Sequence, residues 1–307
     1  MKFCLKPVLN YLYIRSRMQK IILKKIKNKK CIINKTINIA ISTNEKFIEQ
    51  TLVFISSLEN CGCKVKLYVL NINLSNILLE KMKSISPSNV TIIEKKINQK
   101  LINDLLVSDK WPIEAWARIL IPQIIDEKYV IYMDVDCVVI ENISELCEKY
   151  SGYTLSGVRS SYYYNEHYKK NGINSGVIIM NIEKLKTFHF TEKVMGYARK
   201  NVDKLVMPDQ DSINSVCGNE IGIMQLKYNV MNFLFANTAN KIEKKINDKY
   251  YDEEDYKEAI FKPSIIHYNG GPFARPWKNN GVKHPYYKVY KYYLSKIRTK
   301  TGEVYND

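Results

Sequence analysis

Hydrophobic positions along this chain fall into short apolar runs that alternate with longer stretches of helical spacing. Residues 37–44 read as an apolar strand that ends in the small polar pair Thr43-Asn44. A helix-like stretch over 47–58 follows, then a strand over 64–70, a helix over 74–84 and a strand over 90–93. Strands that alternate with helices in this way predict an α/β fold, a largely parallel sheet with helices on both faces. In open sheets of this kind ligands bind beyond the carboxyl ends of the strands. Thr43-Asn44 and the later Asp134-Val135-Asp136 both fall at such ends.

The second of these sites carries the most chemistry. The run 129–140 is almost wholly apolar and reads as one buried strand, interrupted only by Asp134 and Asp136. Side chains two apart on a strand share a face, so both carboxylates are expected to point at one ligand. Two unpaired like charges are costly to bury, and a divalent cation relieves that cost. Hard oxygen ligands suit magnesium or manganese, which in turn suit a phosphate-bearing substrate. Taken alone, the pair fits equally well as two solvated carboxylates where a strand emerges into a loop.

Composition narrows the setting. No apolar run approaches the length of about 20 residues that crosses a bilayer, and no leader-like segment follows the start, so the expected location is the cytoplasm. The seven cysteines are scattered and odd in number, which argues for free thiols rather than a disulfide framework. The net charge of +16 sits at the two ends: residues 1–44 hold 11 Lys/Arg and no acid, and residues 262–307 hold 9 Lys/Arg against 2 acids. Near the start, Met18, Ile21, Ile22 and Ile26 stand at helical spacing among lysines. Near the end, Tyr286, Tyr287, Tyr290, Tyr292 and Tyr293 interleave with Lys288, Lys291, Lys296 and Arg298. Both patterns predict peripheral contact with an anionic membrane surface on the inner face of the cell membrane; a solvated helix or frayed tail is the other reading. The middle of the chain is slightly acidic and holds no nucleic-acid-binding signature, so no nucleic-acid partner is expected.

Four further motifs accompany the carboxylates. Residues 111–122 look like a helix with Ala115 and Arg118 on one face, and Asn174-Ser175-Gly176 is a polar turn feeding an apolar strand. Asp209-Gln210-Asp211 follows Pro208 at an expected helix start, where acidic residues also favour the macrodipole. His267 ends an apolar run, and the loop after it carries Gly270, Gly271 and Arg275. Together, in this order and spacing, the five motifs resemble the retaining glycosyltransferases of family 8, over about Ile37 to Trp277.

That resemblance implies a GT-A nucleotide-diphospho-sugar transferase fold with a Rossmann-like, mostly parallel sheet. It implies a catalytic domain over 37–277, flanked by a basic amphipathic extension over 1–36 and a basic tyrosine-rich tail over 278–307. Asp134, Asp136 and His267 are implied ligands of a manganese ion, with magnesium as the alternative, and Val135 lies between them in the donor site. The donor would be UDP-glucose or UDP-galactose, and the acceptor a glycan or glycolipid such as lipopolysaccharide. Thr43 and Asn44 fall where the family contacts the uridine; Arg118, Asn174, Ser175, Asp209 and Gln210 fall where it holds the sugar, with Gln210 and Asp209 as the catalytic pair. Arg275 stands where family members usually carry lysine on the diphosphate, and the loop from His267 through Gly270 to Arg275 is longer than the family's usual one. Two other classes compete with this reading. Asp-x-Asp also occurs in aspartate-nucleophile phosphatases, though there at the first strand, and the basic ends alone would fit a non-enzymatic nucleic-acid or membrane binder.

Overall fold

Seven strands build the central sheet of this computed structural model, which describes residues 12–28, 32–108, 111–160, 172–246, 248–278 and 280–302. In chain order the strands among the described residues are β1 (Ile33–Ser42), β2 (Cys63–Asn71), β3 (Val90–Lys96), β4 (Tyr129–Met133), β5 (Cys137–Val139), β6 (Leu155–Arg159), β7 (Ile173–Asn181), β8 (Ile221–Ile223), β9 (Val230–Met231) and β10 (Ile265–His267). The large sheet runs β3-β2-β1-β4-β7-β6-β8, and a small sheet runs β5-β10-β9. β3, β2, β1 and β4 are mutually parallel, whereas β7 is antiparallel to both β4 and β6. The expected alternation of strands and helices is met by α1 (Gln19–Lys27), α2 (Ile48–Ser57), α3 (Asn76–Ile85), α4 (Phe190–Lys200), α5 (Pro208–Cys217) and α6 (Tyr287–Thr301).

The pleat sorts the core into two layers. Ile37, Ile39 and Ile41 of β1 and Val65, Leu67 and Val69 of β2 join one buried cluster, while the intervening Ala40, Tyr68 and Leu70 join the other. Successive side chains on a strand point to opposite faces, so the two clusters are the two sides of the sheet. Each face is covered by helices, as a largely parallel sheet requires.

Three expectations are revised or made more specific. The run 129–140 is two strands in two sheets: β4 ends its pairing with β7 at Met133, the chain turns through Asp134-Val135-Asp136, and β5 pairs with β10. The turn closes when the Cys137 N–H donates to the Asp134 carbonyl at 3.1 Å. Residues 113–120 form the expected helix, in 3-10 geometry that keeps Ala115 and Arg118 on one face, and Ile121–Ile124 continue as α.

The third revision concerns the ends of the chain. Ile22 and Ile26 of α1, expected to face lipid, are 5% and 4% exposed and belong to the protein core. Tyr286, Tyr290 and Tyr293, expected at a membrane interface, are buried in the same core. The Tyr268 hydroxyl donates to the Tyr286 carbonyl at 3.0 Å, and Tyr290 donates to Glu49 at 3.1 Å. Gln19 accepts from the Lys288 N–H at 2.6 Å, satisfying one of the unpaired donors at the start of α6. An amphipathic stripe therefore buries itself against the protein, and the two basic segments lie side by side, with Lys27 over the Tyr292 ring. Among the described residues Cys63, Cys137, Cys147 and Cys217 are free thiols; Cys4 and Cys31 lie outside them.

Candidate active site

The turn between the two sheets is gripped from both sides. Asp134 N–H donates to the Gly176 carbonyl of β7 at 2.7 Å, and Tyr268 N–H, just past β10, donates to the Asp136 carbonyl at 2.9 Å. This places both carboxylates beside the His267 ring. Nε2 of His267 lies 3.0 Å from Asp136 Oδ1 and 3.8 Å from Asp134 Oδ2. The predicted trio is thus brought together, by a turn rather than by a shared strand face.

The donor chemistry of this cluster suits a divalent cation. Two carboxylate oxygens and one imidazole nitrogen converge on a shared space, and Gly176 keeps that space open. A Cβ added at Gly176 would lie 2.4 Å from His267 Cε1 and 2.6 Å from Asp134 Oδ2. Cys137 also approaches Asp136 and His267, with ligand atoms within 4.8 Å of one another. Burial and the neighbouring Asp136 and Asp134 charges push its thiol pKa well up, so it stays protonated and is the weaker candidate. Burial alone would raise the Asp136 pKa and lower that of His267. Their mutual attraction and hydrogen bond outweigh burial in both, holding the Asp136 carboxyl below its usual range and the His267 imidazole above its own.

Arg118 anchors the other side of Asp134. Its Nη2 donates to Asp134 Oδ1 at 2.9 Å, its Nη1 to the Ser175 carbonyl at 2.7 Å, and its Nε to the Ala115 carbonyl at 2.9 Å. Tyr132 also donates to Asp134 Oδ1, at 3.0 Å, and its ring lies under the guanidinium at 4.3 Å. Arg118 Nε is 3.4 Å from Asp209 Oδ2, so one buried cation serves two carboxylates. Burial raises the Asp209 pKa, only partly countered by Arg118. The arginine expected on a sugar thus also serves the protein's own acids.

Ser175 and Gln210 close this group. Ser175 Oγ donates to Asp209 Oδ2 at 3.0 Å, and Gln210 Oε1 accepts from both the Ser175 N–H and Asn174 Nδ2 at 2.8 Å. α5 begins at Pro208, so Asp209 and Gln210 sit in its first turn, directed to the start of β7.

The remaining predicted residues separate. Asn44, at the end of β1, lines a cleft of about 380 Å³ with Lys46, Phe47, Val107, Ser108, Pro112, Ile113 and Glu114. Thr43 does not line it; it is buried, with its hydroxyl 2.7 Å from that of Thr51. Val135 is buried inside the turn. Arg275 exerts its charge on Asp136 and His267, and its Nη2 is the nearest group, at 3.7 Å, to a Cβ built at Gly270. The long loop between them is pinned by Asn232, whose Nδ2 donates to the Asn269 carbonyl at 3.1 Å and the Phe273 carbonyl at 2.9 Å.

Sequence reasoning missed Asn232 and Asn229. The second is fully buried, with Oδ1 2.9 Å from His267 Nδ1. Their only sequence signal is a pair of polar residues bracketing the apolar Val230-Met231.

Comparison with known proteins converges on one group. General stress protein A of Bacillus subtilis is 28% identical over 200 residues, covering 61% of this chain and 66% of that protein. Glycosyltransferase GlyA of Streptococcus pneumoniae is 22% identical over 268 residues, covering 86% of this chain but 36% of its own. The chain therefore spans only part of the length of these relatives. In structure it is similar to the galactosyltransferase LgtC, solved with donor and acceptor sugar analogs, at a TM-score of 0.67 and 16% identity over 88% of this chain and 97% of that one. It is also similar to the glycosyltransferase GlyE of Streptococcus pneumoniae, at a TM-score of 0.62 and 20% identity over 86% of this chain and 63% of that one. These likenesses match the observed sheet to the GT-A fold. The family model described as glycosyl transferase family 8 matches residues 38–281, from β1 to beyond the Arg275 loop, and the chain belongs to that family.

Proposed function

We propose that this glycosyltransferase is a metal-dependent, retaining hexosyltransferase that moves glucose or galactose from a UDP-sugar to a glycan acceptor. The observation that carries the reading is the convergence of Asp134, Asp136 and His267 from the two sheets. Manganese is favoured over magnesium because one of the three donors is a nitrogen. Bound there, a divalent cation supplies positive charge to the leaving diphosphate. Asp134, Asp136 and His267 would hold it, and Arg275 adds a fixed charge on the same side.

The neighbouring residues then sort by what they can reach. Asn44 and the cleft beside it take the uridine, with its amide offered to the base edge. Asp209 accepts hydrogen bonds from sugar hydroxyls, supported by Ser175. Gln210 steadies the oxocarbenium-like centre rather than bonding to it, because an amide is a poor nucleophile and its oxygen already accepts two hydrogen bonds at 2.8 Å. The acceptor hydroxyl attacks from the face that the diphosphate leaves, which retains the configuration.

The family resemblance favours a surface glycan or glycolipid such as lipopolysaccharide as acceptor. Contact with an anionic inner membrane face is supported by the exposed lysines of α1 and α6, which lie on adjacent helices. No helix among the described residues is long and apolar enough to cross a membrane. The test is UDP release from a panel of UDP-sugars, with and without Mn2+, in the native chain and in Asp136→Ala. Manganese-dependent release from one sugar, lost in the variant, is expected; release that persists in Asp136→Ala defeats the metal assignment.

A further inference from the structure

Asn229 stands between the metal-binding cluster and the sugar-binding residues, and its orientation follows from two backbone N–H groups. A backbone N–H can only donate. Gly176 N–H meets Asn174 Oδ1 at 3.1 Å, and Ser175 N–H meets Gln210 Oε1 at 2.8 Å. The first fixes the oxygen of Asn174. The second fixes the oxygen of Gln210, which must then receive the Asn174 Nδ2 protons at 2.8 Å. Both routes give Asn174 the same orientation, independently of each other.

The consequence passes one residue further. Asn229 Nδ2 lies 2.9 Å from Asn174 Oδ1, an acceptor, so Asn229 presents its nitrogen there and turns its oxygen to the other side. That oxygen lies 2.9 Å from His267 Nδ1. An amide oxygen accepts only, so Nδ1 must carry a proton, and Nε2 is the nitrogen left for the space shared with Asp134 and Asp136. The parallel pairing of β9 with β10, Met231 opposite His267, holds the two side chains in register. Asn229 is completely buried, so water does not compete for either bond.

We infer that Asn229 is a positioning residue that keeps the proton on His267 Nδ1, aims Nε2 at the cation site and ties that site to Gln210 through Asn174. The inference rests on the proposed metal-dependent reading for what occupies the space in front of Nε2. Partners of this kind fix the ring orientation of ligating histidines, and their loss typically weakens metal affinity about 10–100-fold.

The test compares Mn2+ affinity, measured from the electron paramagnetic resonance signal of the free ion, in the native chain, Asn229→Ala and Asn229→Asp. Asn229→Ala is expected to weaken Mn2+ binding about 10–100-fold. Asn229→Asp keeps an oxygen for Nδ1–H and is expected to retain the affinity, while losing the donor to Asn174. A folded Asn229→Ala protein with unchanged affinity overturns the inference, as does an Asn229→Asp protein as weak as Asn229→Ala. A second measurement needs no metal. In the metal-free, 15N-histidine-labelled protein, with the ring signal assigned by its loss in His267→Gln, the Nδ1 proton is expected to be sheltered from exchange and to become exposed in Asn229→Asp less than in Asn229→Ala. An unprotonated Nδ1, or a proton that exchanges equally fast in all three proteins, overturns the inference. Should the native chain bind no Mn2+ at all, the metal-dependent reading fails, and the exchange measurement alone decides the role of Asn229.

Discussion

Arg118 divides its guanidinium between two carboxylates, meeting Asp134 Oδ1 at 2.9 Å and Asp209 Oδ2 at 3.4 Å. One buried charge thus balances acids from the end of β4 and the start of α5. Removing it leaves both acids facing each other with no cation between them. Arg118→Ala is expected to destabilise the metal-free protein by about 3 kcal/mol or more, readable as a lower urea midpoint. Arg118→Lys restores the charge but not the fork, so it should recover only part of the loss. A midpoint unchanged in Arg118→Ala would show that the acids are not held by this residue.

Gly176 is the one position in the site where a methyl group has nowhere to go. Its Cβ would fall 2.4 Å from His267 Cε1, a ring held on its far side by Asn229. Gly176→Ala should displace the ligands at a cost of about 1–3 kcal/mol, weakening Mn2+ binding at least tenfold while the far-ultraviolet circular dichroism stays native. Native Mn2+ affinity in this variant would mean that the ligands lie elsewhere.

His284 sets a pH dependence of stability. The ring is fully buried among Phe235, Tyr268 and Phe273; Nδ1 accepts from the Tyr286 N–H at 3.1 Å, and Nε2 has no hydrogen-bond partner among the described residues. Burial pushes its pKa down from 6.5 to about 3. In the unfolded chain this histidine binds a proton below about pH 6.5, whereas the native one stays neutral down to about pH 3. The unfolded state therefore binds more protons across that window, and stability falls as the pH is lowered, by up to about 1.4 kcal/mol per unit. His284→Phe should cost about 1 kcal/mol at pH 7 for the lost acceptor, yet lose less than the native chain between pH 7 and pH 4.5. Equal losses in urea titrations at the two pH values would assign the acid sensitivity to other groups.

Lys20 and Lys24 on α1 and Lys288 on α6 are exposed on neighbouring helices. Each is worth about 1 kcal/mol near an anionic bilayer. Flotation with vesicles containing anionic lipid should carry the native chain, and replacing the three with glutamate should abolish it. Equal flotation on zwitterionic and anionic vesicles would remove the electrostatic docking.

How much was legible in the sequence depended on how far apart the determining residues lie. β1, β2 and β3 were readable because each is an apolar run bounded by polar residues, a local signal. The break between β4 and β5 was not, because the apolar run continues through it. What divides the run is the Gly176 carbonyl on one side and the return of β10 on the other, both distant in sequence. The membrane-facing reading of α1 and α6 failed for Ile22, Ile26, Tyr286, Tyr290 and Tyr293 because an apolar stripe with basic flanks looks the same whether lipid or protein covers it. Asp134, Asp136 and His267 were readable as chemistry, by residue type, but the arginine beside them was not readable as their counter-ion. Asn229 carried only the signal of a polar residue beside Val230-Met231: its role comes from its place just before β9, which pairs with β10.

That pairing has a consequence for how the protein is made. β10 inserts between β5 and β9 and is the last in chain order of the strands among the described residues. The large sheet closes from residues that end at Ile223, yet the third residue of the cluster arrives only with His267. During synthesis, a chain complete through β8 holds its two carboxylates without the imidazole, and β5 and β9 gain their sheet partner only when β10 arrives. Contacts so distant in sequence are slow to form. If the proposed site holds a cation, its uptake during refolding would time the arrival of β10.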